Sequence, residues 1–234
     1  MKRACLLIWG ALFASMGWSQ TMNIHYKSGQ TVEYNMDNID YIEFTKRSNN
    51  DAQVSSGKAV DLGLSVKWAS CNVGATSPEE FGDKFAWGET ETKERFELSN
   101  YLYYDSFTES YIDIGLDIKG TDYDVAHVKW GANWRMPTFD ELKELKEKCD
   151  WKWGQYNGVN GYIVTGSNGN SIFFPSGYGD YNCLWASHIL SSNSHNEEGK
   201  SKMAACLGIK YDSIGNSVGF TRQAGLYVRP VLSK

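Results

Sequence analysis

No apolar run in this 234-residue sequence approaches the roughly 20 residues that a bilayer-spanning helix requires. The longest begins at Leu6 and stops well short of that length. Basic charge is scarce too, with 23 Lys and Arg against 28 Asp and Glu. Nucleic acid and anionic membrane are therefore disfavoured as partners, because both demand a basic face. There is no heptad pattern and no sustained internal repeat, and few stretches have helical spacing.

What is present begins with an export signature. Residues 1–19 read MKRACLLIWGALFASMGWS, with Lys2 and Arg3 ahead of the apolar run and small Gly17 and Ser19 placed for cleavage before Gln20. The expectation is a signal peptide over 1–19 and an exported chain, periplasmic, cell-surface or secreted, with no membrane insertion after cleavage. Cys5 lies ahead of the apolar run, whereas a lipoprotein signal places its cysteine just after one, so lipidation is set aside. Removing Lys2 and Arg3 leaves 21 basic against 28 acidic residues, a net charge of −7. Cys71, Cys149, Cys183 and Cys206 remain. Two disulfides in any of three connectivities fit an exporting compartment, and buried thiols fit equally well.

Residues 22–44, MNIHYKSGQTVEYNMDNIDYIEF, alternate apolar and polar positions around a Ser28-Gly29 turn signal. A β-hairpin segment over 20–47 is expected, possessing too little surface to fold alone. Polar residues 48–58 read as a linker. Residues 59–234 have the size of one domain, built from short aromatic-rich segments separated by Gly, Asn and Asp. The clearest hairpin is GYIVTGSNGNSIFFP, with strands over 162–165 and 171–174 joined by residues that tolerate positive φ.

WRMPTFDELKEL, residues 134–145, predicts a helix start. Thr138 caps it, Glu141 completes a capping box, and Pro137 blocks backward extension. Phe139, Leu142, Leu145 and Cys149 then share one face, with Asp140, Lys143, Glu144 and Lys146 opposite. Asp140 and Glu141 complement the helix start, so an architectural role accounts for them better than a catalytic one.

This same stretch resembles the signature of the formylglycine-generating-enzyme type of C-type lectin-like fold. AVDLGLSVKWASCNVGATSPEEFGDKFAWGE (59–89), YDVAHVKWGANWRMPT (123–138), NGNSIFFPSGYG (168–179), LWASH (184–188) and GLYVRPV (225–231) resemble, in that order, the Fibrobacter succinogenes major paralogous domain family of exported Bacteroidetes proteins. The resemblance implies an α+β, C-type lectin-like mixed fold, with short twisted antiparallel sheets, one or two small helices and chain ends brought close together. It also implies that Trp68, Trp87, Trp130, Trp134 and Trp185 serve the core and pin loops. Arg135 and Arg229 would pair structurally with acids or carbonyls.

Chemistry is harder to find. Enzymes of this fold use cysteines near the chain end, and here none follows Cys206. GNSVG (215–219) matches a hydrolase elbow, but it leads into the strand-like GLYVRPV, and no Asp or His follows to complete the expected order. Cys183, His188, His195 and Cys206 offer zinc-ligand types without recurrent zinc spacing. Asp113, Asp117, Asp122 and Asp124 offer calcium-ligand types without the EF-hand order, and the sugar-binding triplets of true C-type lectins are missing. No enzyme, cofactor or metal is expected.

What remains is a binding surface. Residues 178–200 mix aromatics with small polar side chains, as recognition loops do, and Tyr178, Tyr181, Trp185 and His188 are the candidate ligand contacts. A core position for Trp185 is the alternative. The expected function is a non-enzymatic ligand-binding or adhesion module with a glycan or a surface protein as partner. A structural subunit joined through the 20–47 hairpin is the rival. The oligomeric state is open.

Overall fold

The computed structural model describes residues 21–25, 31–35, 57–131, 133–177, 182–190, 201–211, 213–215 and 219–234. Two compact units divide the chain, 1–51 and 52–234. In the first, β1 (Thr21–His25) pairs antiparallel with β2 (Thr31–Asn35), Met22 opposite Tyr34 and Asn23 opposite Glu33. The Ser28-Gly29 turn and residues 36–47 of the expected hairpin segment lie outside the described residues.

The second unit is an α+β fold of mostly antiparallel sheets with two short α-helices. One sheet brings its two ends together. In it, β3 (Ala59–Asp61) pairs with β4 (Val66–Ala69), and β4 with the last strand, β15 (Val231–Ser233), which also pairs with β7 (Trp134–Arg135). Lys234 Nζ lies 2.8 Å from Asp61 Oδ1 across the same junction. The strand character expected over 225–231 is narrower than the sequence suggests. Leu226 and Tyr227 form only isolated bridges and the ladder begins at Val231, because Pro230 has no N–H to donate.

Between these ends lie two small elements. The hairpin of β5 (Tyr104–Asp105) and β6 (Ser110–Tyr111) is followed by α1 (Val125–Trp130). Asp124 caps α1 and is fully buried, its carboxylate accepting N–H bonds from Gly120, Ala126, His127 and Met136 at 2.8–3.1 Å. Burial pushes its carboxyl upward, and those four donors pull it back.

The helix expected from 138 onward is α2 (Phe139–Lys148), with Thr138 as N-cap and both halves of the capping box formed. Leu142 and Leu145 are buried, with Phe139 and Cys149 packed against the same cluster. The chain then runs through β8 (Asp150–Tyr156), β9 (Val159–Thr165) and β10 (Ser171–Pro175), a three-stranded antiparallel meander. The β9–β10 hairpin turns where GSNGN predicts. Gly166 is obligatory there, since a side-chain carbon would collide with the Leu62 carbonyl. The β8–β9 hairpin is longer, and its signal is the dipeptide Asn157-Gly158, both at positive φ, 48° and 82°.

The last sheet joins β11 (Asn182–Ile189) to β12 (Met203–Lys210), with β13 (Ser213–Ile214) and β14 (Phe220–Thr221) also paired to β12. Side chains alternate along β11, so its two faces feed different clusters. Leu184 and Ala186 join Trp68, Leu142 and Phe174, while Cys183 and Trp185 join Phe85, Trp87 and Val228. Of the tryptophans expected to serve the core, Trp68, Trp87 and Trp185 are fully buried and Trp134 is 8% exposed. Trp130 is half-buried and meets Trp134 edge to face, centroids 5.3 Å apart.

Candidate functional site

Of the four expected ligand contacts, Trp185 and His188 are described, and they do not share a surface. Tyr178 and Tyr181 lie outside the described residues, as does His195. Trp185 is a correction: its side chain is 0% exposed, and its indole Nε1 donates to the Phe85 carbonyl at 2.8 Å. Trp87 makes the converse bond, Nε1 to the Ala186 carbonyl at 3.0 Å. Trp185 belongs to the buried cluster with Phe85 and Trp87, so it offers no ring face to a ligand. His188, three residues further along β11, has a side chain 38% exposed.

His188 joins a hydrogen-bonded chain that the sequence alone did not reveal. Its Nε2 lies 3.2 Å from Asp117 Oδ2, and its Nδ1 lies 3.2 Å from Ser187 Oγ. Lys119 Nζ places a cation 2.9 Å from the same Asp117 oxygen. Burial works against ionisation of Asp117, but hydrogen bonds from Ser187 and Lys119 outweigh it and hold the carboxyl below its ordinary range. Serine, histidine and aspartate in sequence of contact are the parts of a hydrolytic relay. Ser187 is nonetheless 0% exposed, on a β11 segment whose backbone donates to Pro137 O. A hydroxyl sealed from solvent cannot attack a substrate, and the chain reads as a clasp between 117–119 and β11.

The other candidate clusters also separate. Asp113 accepts from Gly115 N, Asp117 serves the clasp, Asp122 is exposed and Asp124 caps α1. No group of three or more metal-ligating residues occurs among the described residues. None of the four cysteines is in a disulfide. Cys183 and Cys206 sit diagonally across β11 and β12, and their side chains share a hydrogen bond that, with burial, pushes the Cys206 thiol far above its ordinary range. The stretch 216–218 within GNSVG lies outside the described residues.

Arg135 and Arg229 are held by the fold. Arg135 meets Glu141 through both prongs and also donates to Met136 O at 3.1 Å. Arg229 is 0% exposed and donates to Asn72 Oδ1, Ala69 O and Phe173 O at 2.7–3.0 Å. Its guanidinium lies 4.2 Å from the Phe174 ring centroid, and burial pulls its pKa below the usual range.

An aromatic cluster lies on the meander. Trp153 of β8 and Tyr162 of β9 are cross-strand partners, and their rings meet edge to face at 5.0 Å. Tyr211, just past β12, approaches the same indole at 4.8 Å and 85° and is 45% exposed. The Tyr162 hydroxyl lies 2.9 Å from both the Lys210 and Tyr211 carbonyls, which pins the turn that carries Tyr211. One pair further along the same face, Gln155 Nε2 donates to Asn160 Oδ1 at 2.9 Å. The signal for this cluster was the alternation of DWKWGQY, which puts Trp151, Trp153 and Gln155 on one face. Tyr211 belongs to a segment with no such pattern.

The second unit is an α+β fold with a partly buried aromatic cluster of Trp153, Tyr162 and Tyr211. Compared with known proteins, the chain matches no family model, no curated protein and no solved structure.

Proposed function

We propose that this chain is an exported, non-enzymatic ligand-binding or adhesion module of the envelope or cell exterior, its ligand a glycan or a surface protein. The observation that carries this reading is the aromatic cluster of Trp153 and Tyr211, preset by packing and bordered by two amides. Rings held in place before a ligand arrives lose little entropy on binding, which favours recognition. Support also comes from the export signature at 1–19 and from the resemblance to the major paralogous domain and the C-type lectin-like fold.

The test is to express the gene in a bacterial host, recover the exported product, sequence its N-terminus and assay its retention on bacterial surfaces. A product that begins at Gln20 and is retained fits the proposal. A chain kept full-length in the cytoplasm would sink it, as would turnover of a substrate abolished by one polar substitution.

The structural-subunit reading draws on β1 and β2. They form a two-stranded sheet that pairs with no other described strand, and Tyr34 is 39% exposed. So small a sheet is marginal alone, and strand addition by a neighbour would stabilise it. A chain that remains monomeric, and unchanged when 20–47 are deleted, removes that reading.

A further inference from the structure

We infer that the tip of the β5–β6 hairpin, with Phe107 at its apex, is a docking knob for a protein partner whose apolar pocket is rimmed by lysine and arginine. The tip shares no residue with the Trp153 cluster, and residues 102–113 all lie among the described ones. Three observations converge. The first is exposure. Phe107 is 94% exposed, and Leu102 and Ile112, at the base of the same hairpin, are 69% and 43% exposed. One apolar residue on a surface is ordinary. Here three fall within a single hairpin, and one is an aromatic ring in a turn whose usual occupants are Gly, Asn, Asp and Ser.

The second observation is the bracing of the turn. Asp105 Oδ1 accepts the N–H groups of Phe107 at 2.8 Å and Thr108 at 3.3 Å, and the Thr108 and Ser110 hydroxyls lie 2.8 Å apart. Behind the turn, Tyr104 and Tyr111 are cross-strand partners whose rings meet edge to face at 5.3 Å. Strands this short are marginal alone, and the core holds them in place. Buried Arg222 donates to the Ile112 carbonyl at 3.1 Å, and its guanidinium lies 5.4 Å from the Tyr111 ring centroid. A ring carried on a fixed backbone loses less entropy on docking.

The third is charge. Residues 96–118 include Glu97, Asp105, Glu109, Asp113 and Asp117 but no Lys, Arg or His. Asp117 belongs to the clasp and Glu97 lies 3.9 Å from Arg95, whereas among the described residues no cation pairs with Asp105, Glu109 or Asp113. Hydrogen bonds from Thr108 and Phe107 hold the Asp105 carboxyl below its ordinary range, so it is charged at neutral pH. Glu109 sits at φ 50°, where Gly or Asn would fit with less strain, so the acid is kept at a backbone cost. Such a rim repels anionic membranes and nucleic acids, and a second copy of a chain with net charge −5 is like-signed too. A cationic rim around an apolar pocket complements it, the ring anchoring the partner and the acids orienting it.

To test this, the wild-type chain and Phe107→Ser are immobilised side by side, and an extract of the cells that carry the gene is passed over both. A protein held only by the wild type is purified, and its affinity for wild type, Phe107→Ser, Phe107→Tyr and Glu109→Lys is measured at low and high salt. Phe107→Ser should weaken binding by roughly tenfold or more, the scale of losing an aromatic anchor, while Phe107→Tyr keeps most of it. High salt and Glu109→Lys should each weaken the complex. Carbodiimide, which joins touching carboxylates and amines, should couple Glu109 or Asp113 to a partner lysine. Phe107→Ser should melt with the wild type, and a lower melting temperature would show that the ring serves the fold and overturn the inference. Binding that high salt strengthens overturns it, as does an extract in which no protein distinguishes the two chains. Sedimentation with phosphatidylcholine vesicles, abolished by Phe107→Ser, would make the tip a membrane contact and overturn the protein partner. Retention on bacterial surfaces that Phe107→Ser leaves unchanged would remove the docking tip and leave the binding-module reading standing.

Discussion

Arg135 and Glu141 form a two-pronged ion pair, Nη2 to Oε1 at 2.6 Å and Nη1 to Oε2 at 2.8 Å, across the turn that leads β7 into α2. The same Glu141 carboxylate accepts the Thr138 N–H at 2.8 Å. One acid therefore closes the capping box and anchors the preceding strand, which explains why an aromatic, an arginine and a proline lead directly into an acidic helix start.

Removing that acid should cost both contacts together. Glu141→Ala is expected to lose about 2–4 kcal/mol, combining a broken, partly buried pair with a damaged cap. Arg135→Lys keeps the charge and loses the second prong, so its cost should be nearer about 1 kcal/mol. Urea denaturation of the three proteins checks the order. Equal stabilities would show that the pair is ornamental.

The pair should also make stability depend on acid. Burial resists ionisation of Glu141, yet the hydrogen bonds from Arg135 and Thr138 prevail and hold it below its ordinary value of 4.5. Because the folded value is depressed, the stabilisation is complete above about 4.5 and is lost as pH falls through the folded value. Urea midpoints measured from pH 7 down to pH 3 should fall more steeply in the wild type than in Glu141→Gln. Parallel curves would remove Glu141 from the acid response.

Trp185→Ala should act on folding, not selectively on binding. Deleting a fully buried indole leaves a cavity and orphans the Phe85 carbonyl, at a cost of about 3–5 kcal/mol. Thermal melting reads this directly. A variant that melts with the wild type would place the indole outside the core.

The cysteines should be protected in the folded chain. Cys71, Cys183 and Cys206 are buried, and burial raises the thiols of Cys71 and Cys149. The thiolate is the reactive form, so iodoacetamide at pH 8 should spare Cys71 and Cys206 in the native chain and modify all four in urea without reductant. Labelling of only two in urea would reveal a disulfide.

Local chemistry carried the legible part of this fold. Thr138, Glu141 and Pro137 announce α2 because a cap is completed within four residues, and GSNGN announces the β9–β10 turn because Gly and Asn tolerate the required φ. Asn157-Gly158 was an equally local signal, and it closes the longer hairpin. Surface chemistry was legible only halfway. Alternation puts Trp153 and Gln155 on one face, and likewise Cys183 and Trp185, but it does not say which face meets solvent.

The sequence by itself determined the acidic balance, which is composition alone, and the capped helix and the hairpin turns, since these depend on neighbours a few residues away. Tertiary structure alone decided that Trp185 points into the core, that Arg229 finds Asn72, Ala69 and Phe173, and that Tyr211 meets Trp153. Those contacts join residues more than fifty positions apart. They form only when sheets with two usable faces bury the larger apolar surface, and no local pattern records that choice.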